Sequence, residues 1–101
     1  MEELNELIIN NEKEELTILS DNRSHIHFKM INSIKESFKN DITSMEIIRI
    51  VNNYRGYTMI LRVEKDKWVD SLEKSLSYFE EIENYKVCQE IKTLMGEIKK
   101  Q

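Results

Sequence analysis

Along the last third of the chain, apolar residues recur with the period of a helix. Trp68, Leu72, Leu76 and Phe79 follow at spacings of four, four and three, which places them on one helical face. After a break at Glu83-Asn84, Val87, Cys88, Ile91, Leu94, Met95 and Ile98 form a second stripe, with Glu90, Lys92, Glu97 and Lys99 facing away. Two amphipathic helices joined this tightly bury each other's stripes, so the pattern predicts an antiparallel helical hairpin over 66–82 and 85–99. Asp66 and Asn84 are the expected N-caps, because their side-chain oxygens can accept hydrogen bonds from unpaired first-turn N–H groups. Trp68 is expected to pin this hairpin to the sheet.

The middle of the chain reads as a β-hairpin over 46–63. Glu46-Ile47-Ile48-Arg49-Ile50-Val51 is rich in β-branched residues, and Tyr57, Met59, Leu61 and Val63 alternate onto one face of the following segment. Asn52-Asn53-Tyr54-Arg55-Gly56 between them supplies residues that tolerate a positive φ, as a turn requires. Strict alternation leaves apolar residues on both faces of both strands, which predicts burial inside a larger sheet or cover on each side.

The first forty residues give a weaker pattern. Leu4, Leu7 and Ile8 fit a short helix, and Leu16-Thr17-Ile18-Leu19 reads as a short strand ending at Ser20-Asp21-Asn22. Over 25–39, Ile26, Phe28 and Met30 alternate as in a strand, whereas Ile26, Met30, Ile34 and Phe38 recur every four residues as in a helix. The helical pattern covers more of the segment, so a helix capped by Ser24 is expected there. Together the elements predict an α+β domain: a small antiparallel sheet around the hairpin, one preceding helix and a C-terminal helical hairpin.

Length and composition narrow the picture further. The 101 residues suit one domain spanning 1–101, without a proline and with two glycines to mark breaks. Residues 1–14 form an acidic leader with helical character, and 66–101 form the helical subregion. Apolar residues make up 40% and charged residues 34%, which favours a folded chain with a heavily charged surface over a disordered one. Cys88 is the one cysteine, so no intramolecular disulfide can form. The acidic start lacks the positive and apolar regions of a signal peptide, and no apolar run approaches the roughly 20 residues of a membrane span. A cytoplasmic location is expected. The excess of lysine over arginine, with abundant Ile and Asn, suggests an AT-rich genome and hence a bacterial or phage-infected host cell.

Few residues are arranged for chemistry. His25 and His27 would project to one side from a strand but to nearly opposite sides from a helix, and no third ligand lies near them in sequence. Cys88 falls within an apolar stripe, where a small buried hydrophobe is expected. No phosphate loop, nucleophile elbow or dinucleotide fingerprint is present. Neither enzymatic activity nor a cofactor is expected. Charge is uneven, with seven acids and one lysine in residues 1–21, and Arg49, Arg55 and Arg62 without an acid in 49–62. The hairpin tip therefore carries the candidate site: Tyr54, Arg55 and Tyr57, extended by Arg49 and Arg62. Aromatic area beside a multi-donor cation suits a protein partner. The same residues could stack on a base and pair with phosphate, or simply be solvated.

The last third also resembles the UVR motif, a short helical hairpin of excision-repair subunits and protease adaptors. The likeness runs over 68–100 and is carried by Leu72-Glu73-Lys74-Ser75-Leu76 and by Tyr85 through Lys92. Tyr85, Cys88, Ile91 and Lys92 fall on the family's aromatic, small, aliphatic and basic places. Gln89 replaces a small residue, Thr93 replaces an acid, and the turn is one residue longer. The resemblance implies a protein–protein docking element. The expectation is thus a non-enzymatic adaptor or inhibitor, self-associating through its C-terminal helices, with nucleic-acid or nucleotide binding as the alternative.

Overall fold

The densest run of β-branched residues becomes the central strand. In the computed structural model, which describes residues 5–101, β2 (Ser44–Asn52) lies between β1 (Glu6–Ile9) and β3 (Tyr57–Glu64). β3 runs antiparallel to β2, as the hairpin predicts, and Gly56 closes the turn at φ +79°. β1 runs parallel to β2, pairing Leu7 with Ile50 and Ile9 with Asn52. A parallel pair needs a long crossover, which here is α1 (Glu12–Asp21) and α2 (Arg23–Asn40). The fold is α+β, and its sheet is mixed.

This crossover corrects two sequence expectations. Leu7 and Ile8 belong to strand β1 rather than a helix; Leu4 lies outside the described residues. Leu16 to Leu19 belong to helix α1 rather than a strand. The helix is set by its start: the Asn11 side chain accepts from the Glu14 N–H at 2.9 Å, and the Glu14 carboxylate accepts from the Asn10 N–H at 2.9 Å. Glu12, Glu14 and Glu15 also favour the positive end of the helix dipole. The expected helix over 25–39 is α2, but Ser24 lies inside it and bonds the Tyr78 hydroxyl instead of capping.

A register shift between Glu46 and Ile48 explains the two-faced apolar pattern. The extra residue lets Ile47 join Ile48 and Ile50 in the core, where strict alternation would separate them. Leu7, Ile9 and Val63 complete this inner face, against Ile31 and Ile34 of α2. The outer face stays open: Ile8, Arg49, Ile60 and Arg62 are exposed. The expected burial inside a larger sheet therefore holds for β2, the central strand, whereas cover on both faces fails, and β3 is an edge strand among the described residues.

The C-terminal helices, α3 (Trp68–Glu81) and α4 (Tyr85–Lys99), form the predicted hairpin. They pack on each other and on α2, with Leu72, Phe79, Ile91 and Leu94 buried. Asn84 caps α4, accepting from the Val87 N–H at 3.4 Å. Asp66 does not cap α3; it lies in a 3₁₀ turn, Lys65–Lys67, through which β3 runs directly into the helix. Trp68 is buried at the start of α3 and meets the Phe38 ring of α2 edge-on at 6.3 Å, so it anchors helix to helix. No helix of the described residues is long and apolar enough to cross a membrane.

Candidate functional site

The five residues that the sequence groups together are distributed over three surfaces. Arg49 and Arg62 lie on the outer face of the sheet, where Arg49 pairs with Glu46 at 3.3 Å. Arg62 donates to the Ser44 hydroxyl at 3.3 Å, and that hydroxyl donates to Glu64 at 2.9 Å. Tyr57 is paired with buried Asn52 and is exposed on the inner-face side of the β3 edge. Tyr54 and Arg55 occupy the tip, with the guanidinium carbon 5.3 Å from the Tyr54 ring centre.

Arg55 is part of a latch between the tip and α1. Its Nε donates to Glu15 Oε2 at 2.6 Å, and the Asn52 amide donates to the same oxygen at 2.8 Å. Asn52 Oδ1 in turn accepts from the Arg55 backbone N–H at 2.8 Å. Hydrogen bonds from Arg55 and then Asn52 hold the Glu15 carboxyl below its usual range, and the bond to Glu15 raises Arg55.

Sequence reasoning missed the surface beside the latch. Leu16 and Leu19 of α1 are exposed, as are Tyr57 and Met59 on the inner-face side of β3. A groove of about 410 Å³ opens between these elements, lined by Leu19, Ser20, Arg23, Ile26, His27 and Leu61. The volume falls within the range of ligand pockets, roughly 300–1,000 Å³. Its polar end is built at the α2–α3 contact. His27 stacks on Tyr78 with ring centres 4.6 Å apart, and its Nδ1 bonds the Ser75 hydroxyl at 2.7 Å. Arg23 lies over the Tyr78 ring, its guanidinium carbon 4.8 Å from the centroid. The signal available in sequence was Arg23-x-x-x-His27, one helical turn apart.

Burial first, and then the Arg23 charge, lower the His27 pKa. The groups around the ring are Arg23 on its own helix and Tyr78, Phe79 and Ser75 on α3. A histidine kept neutral by folding binds fewer protons than in the unfolded chain. Its contribution is therefore complete above about pH 6.5 and is lost as pH falls towards its lowered folded value. Glu15, also depressed, adds a second loss at more acidic pH. We expect the urea midpoint to fall between pH 7.5 and 5.5, and His27→Gln to flatten that slope. An equal slope in the variant would assign the titration elsewhere.

Among the described residues no three His, Cys, Asp or Glu side chains converge as a metal site, and Cys88 is buried in the core. Comparison with protein families, curated proteins and solved structures found no match to this chain.

Proposed function

We propose that this protein is a small non-enzymatic interaction module, an adaptor or inhibitor, that receives an extended segment of a partner protein along β3. The supporting observation is the character of that edge. β3 is eight residues long, and Tyr57 to Leu61 carry neither charge nor proline. Exposed edges are ordinarily blunted by charges, proline or brevity, because their free N–H and C=O groups template another strand. Here the charged residues, Arg62 and Glu64, sit at one end only.

The direction of the unpaired groups follows from the ladder. The Arg49 N–H donates to Asn5 across the β1 side, so the Arg49–Ile60 pair is not hydrogen-bonded. The backbone groups of Ile60 therefore point away from β2, towards the open edge. Strand addition uses such groups for affinity and alternate side-chain pockets for specificity. The C-terminal helices offer less, since their stripes are buried in the chain's own core and expose Ile82 and Tyr85 at the join. The anionic-ligand alternative has weaker support: Arg49 and Arg55 already face carboxylates, and the net charge is −4.

The test compares capture by tagged wild-type protein and by Ile60→Pro, with and without nuclease. Proline at this position removes no bond to β2 but blocks the outer edge. A stoichiometric protein retained through nuclease by the wild type and lost by Ile60→Pro, with circular dichroism unchanged, is expected. Capture that needs intact nucleic acid would favour the alternative. Undiminished capture by Ile60→Pro would remove β3 as the docking strand.

A further inference from the structure

The groove beside β3 ends at a cation for which the described residues provide no carboxylate. Arg49 faces Glu46, Arg55 faces Glu15, and Arg62 is held by Ser44. Arg23 differs. Among the described residues its recorded partner is the face of Tyr78, and no acid pairs with it. A guanidinium stacked on a ring uses its flat face and keeps its N–H groups, which lie in its plane, available for a bidentate acceptor. Tyr78 is itself fixed by the Ser24 hydroxyl and by the His27 ring. The cation is thus held in place before any ligand arrives, which lowers the entropic cost of using it. His27 lines the same groove, and Ser75 engages its Nδ1, leaving Nε2 as the nitrogen not used by the fold.

The rest of the groove is apolar. Leu19, Ile26 and Leu61 supply its aliphatic surface, and Leu61 belongs to β3 itself. A strand added to the β3 edge would run alongside this groove and place every second side chain on the groove side.

We infer that the partner segment paired with β3 carries an Asp or Glu two positions from a branched aliphatic residue, on the same face of the strand, the aliphatic side chain filling the groove against Leu19, Ile26 and Leu61 and the carboxylate pairing with Arg23. This inference rests on the β3 reading and adds the chemistry of the occupant. Charge complementarity selects it: an arginine without an acid, at the end of an apolar trough, gains most from a carboxylate that arrives on an apolar neighbour.

The probe is an immobilised library of N-acetylated, C-amidated octapeptides in which every second position is varied among Val, Ile, Leu, Asp, Glu, Asn, Gln and Lys and the intervening positions are held at Thr, so that an acid and an aliphatic residue can share one face, screened with the purified full chain. The best peptide and its Asp→Asn or Glu→Gln counterpart are then measured in solution. The wild type should prefer the acid by about tenfold or more, the effect of a charge-assisted hydrogen bond. Arg23→Gln should reduce that preference to about twofold or less, and Arg23→Glu should shift selection to Lys-bearing peptides. Both variants should match the wild type in circular dichroism, so that lost preference is not lost fold. Selected peptides without an acid, or an acid preference unchanged in Arg23→Gln, would overturn the inference. If Ile60→Pro still abolished binding of those peptides, the β3 reading would stand without it. Absence of any bound peptide would also overturn the inference, and β3 would then be judged on the capture experiment alone. Octanoate binding at Arg23 with no peptide bound would reassign the groove to a small amphiphile.

Discussion

Replacing Phe79 with alanine is expected to destabilise the protein by about 3–5 kcal/mol, the range for truncating a buried aromatic. The ring is 0% exposed and sits where α2 and α3 meet. Its centre lies 4.9 Å from that of Phe28, 5.0 Å from Tyr78 and 6.0 Å from His27. The variant loses this apolar burial and leaves a void that two packed helices cannot close without shifting. Small domains have about 5–15 kcal/mol in total, so a large share of the stability is at stake. Urea denaturation at pH 7.5 should show a lower midpoint with an unchanged slope, and the melting temperature should drop by more than about 10 °C. Phe28→Ala is the control, since Phe28 is 39% exposed and should cost much less. A midpoint for Phe79→Ala within 1 kcal/mol of wild type, as judged against the typical surface substitution of about ±0.5 kcal/mol, would contradict the packing described for α2 and α3.

Trp68 gives the second large effect, and here two substitutions should separate. Trp68→Ala should cost about 3–5 kcal/mol, because a side chain 2% exposed is removed from the junction of β3, α2 and α3. Trp68→Phe should cost far less. The buried indole N–H has no hydrogen-bond partner among the described residues, and an unsatisfied buried donor carries a penalty of about 1–3 kcal/mol. Phenylalanine removes that donor while keeping most of the apolar volume, so the two terms oppose each other. Thermal denaturation of both variants decides the matter. Equal losses for Phe and Ala would mean that the indole N–H is hydrogen-bonded and that losing this bond, rather than packing, dominates the effect.

These two sites lie in the layer formed by α2, α3 and α4, whereas the proposed docking edge of β3 faces away from β2. Stability and binding should therefore be separable by mutation. Substitutions at exposed Met59 and Ile60 remove little buried area and should alter partner capture with small changes in midpoint. Arg23 and His27 are intermediate, since they line the groove yet also touch Tyr78 of α3.

The sequence by itself determined the elements whose signals repeat or are stated locally. The stripes of α3 and α4 extend over several turns, and Asn84 states the start of α4 in one side chain. The longer four-residue period over Ile26, Met30, Ile34 and Phe38 correctly outweighed the brief alternation within it. Gly56 located the turn by the one φ that an L side chain resists. The start of α1 was also legible, in Asn11-x-x-Glu14, but the apolar run at Leu16 to Leu19 suggested a strand; two of those residues prove to be exposed.

The tertiary structure alone decided which elements became neighbours. β1 is four residues long, too short for periodicity to name its type, and becomes a strand by pairing with residues some forty positions later. Ile47 is buried because of a register shift that depends on β3. The arginines looked free because no acid lies within 49–62, yet Glu46 pairs with Arg49 and Glu15 reaches Arg55 across 40 positions. Arg23, which drew no attention, is left without a carboxylate among the described residues, at a groove assembled from α1, α2 and β3. Periodicity and caps act over a few residues and can be read along the chain. Strand pairing, charge pairing and grooves depend on which distant segments the crossover brings together, and only the folded chain contains that information.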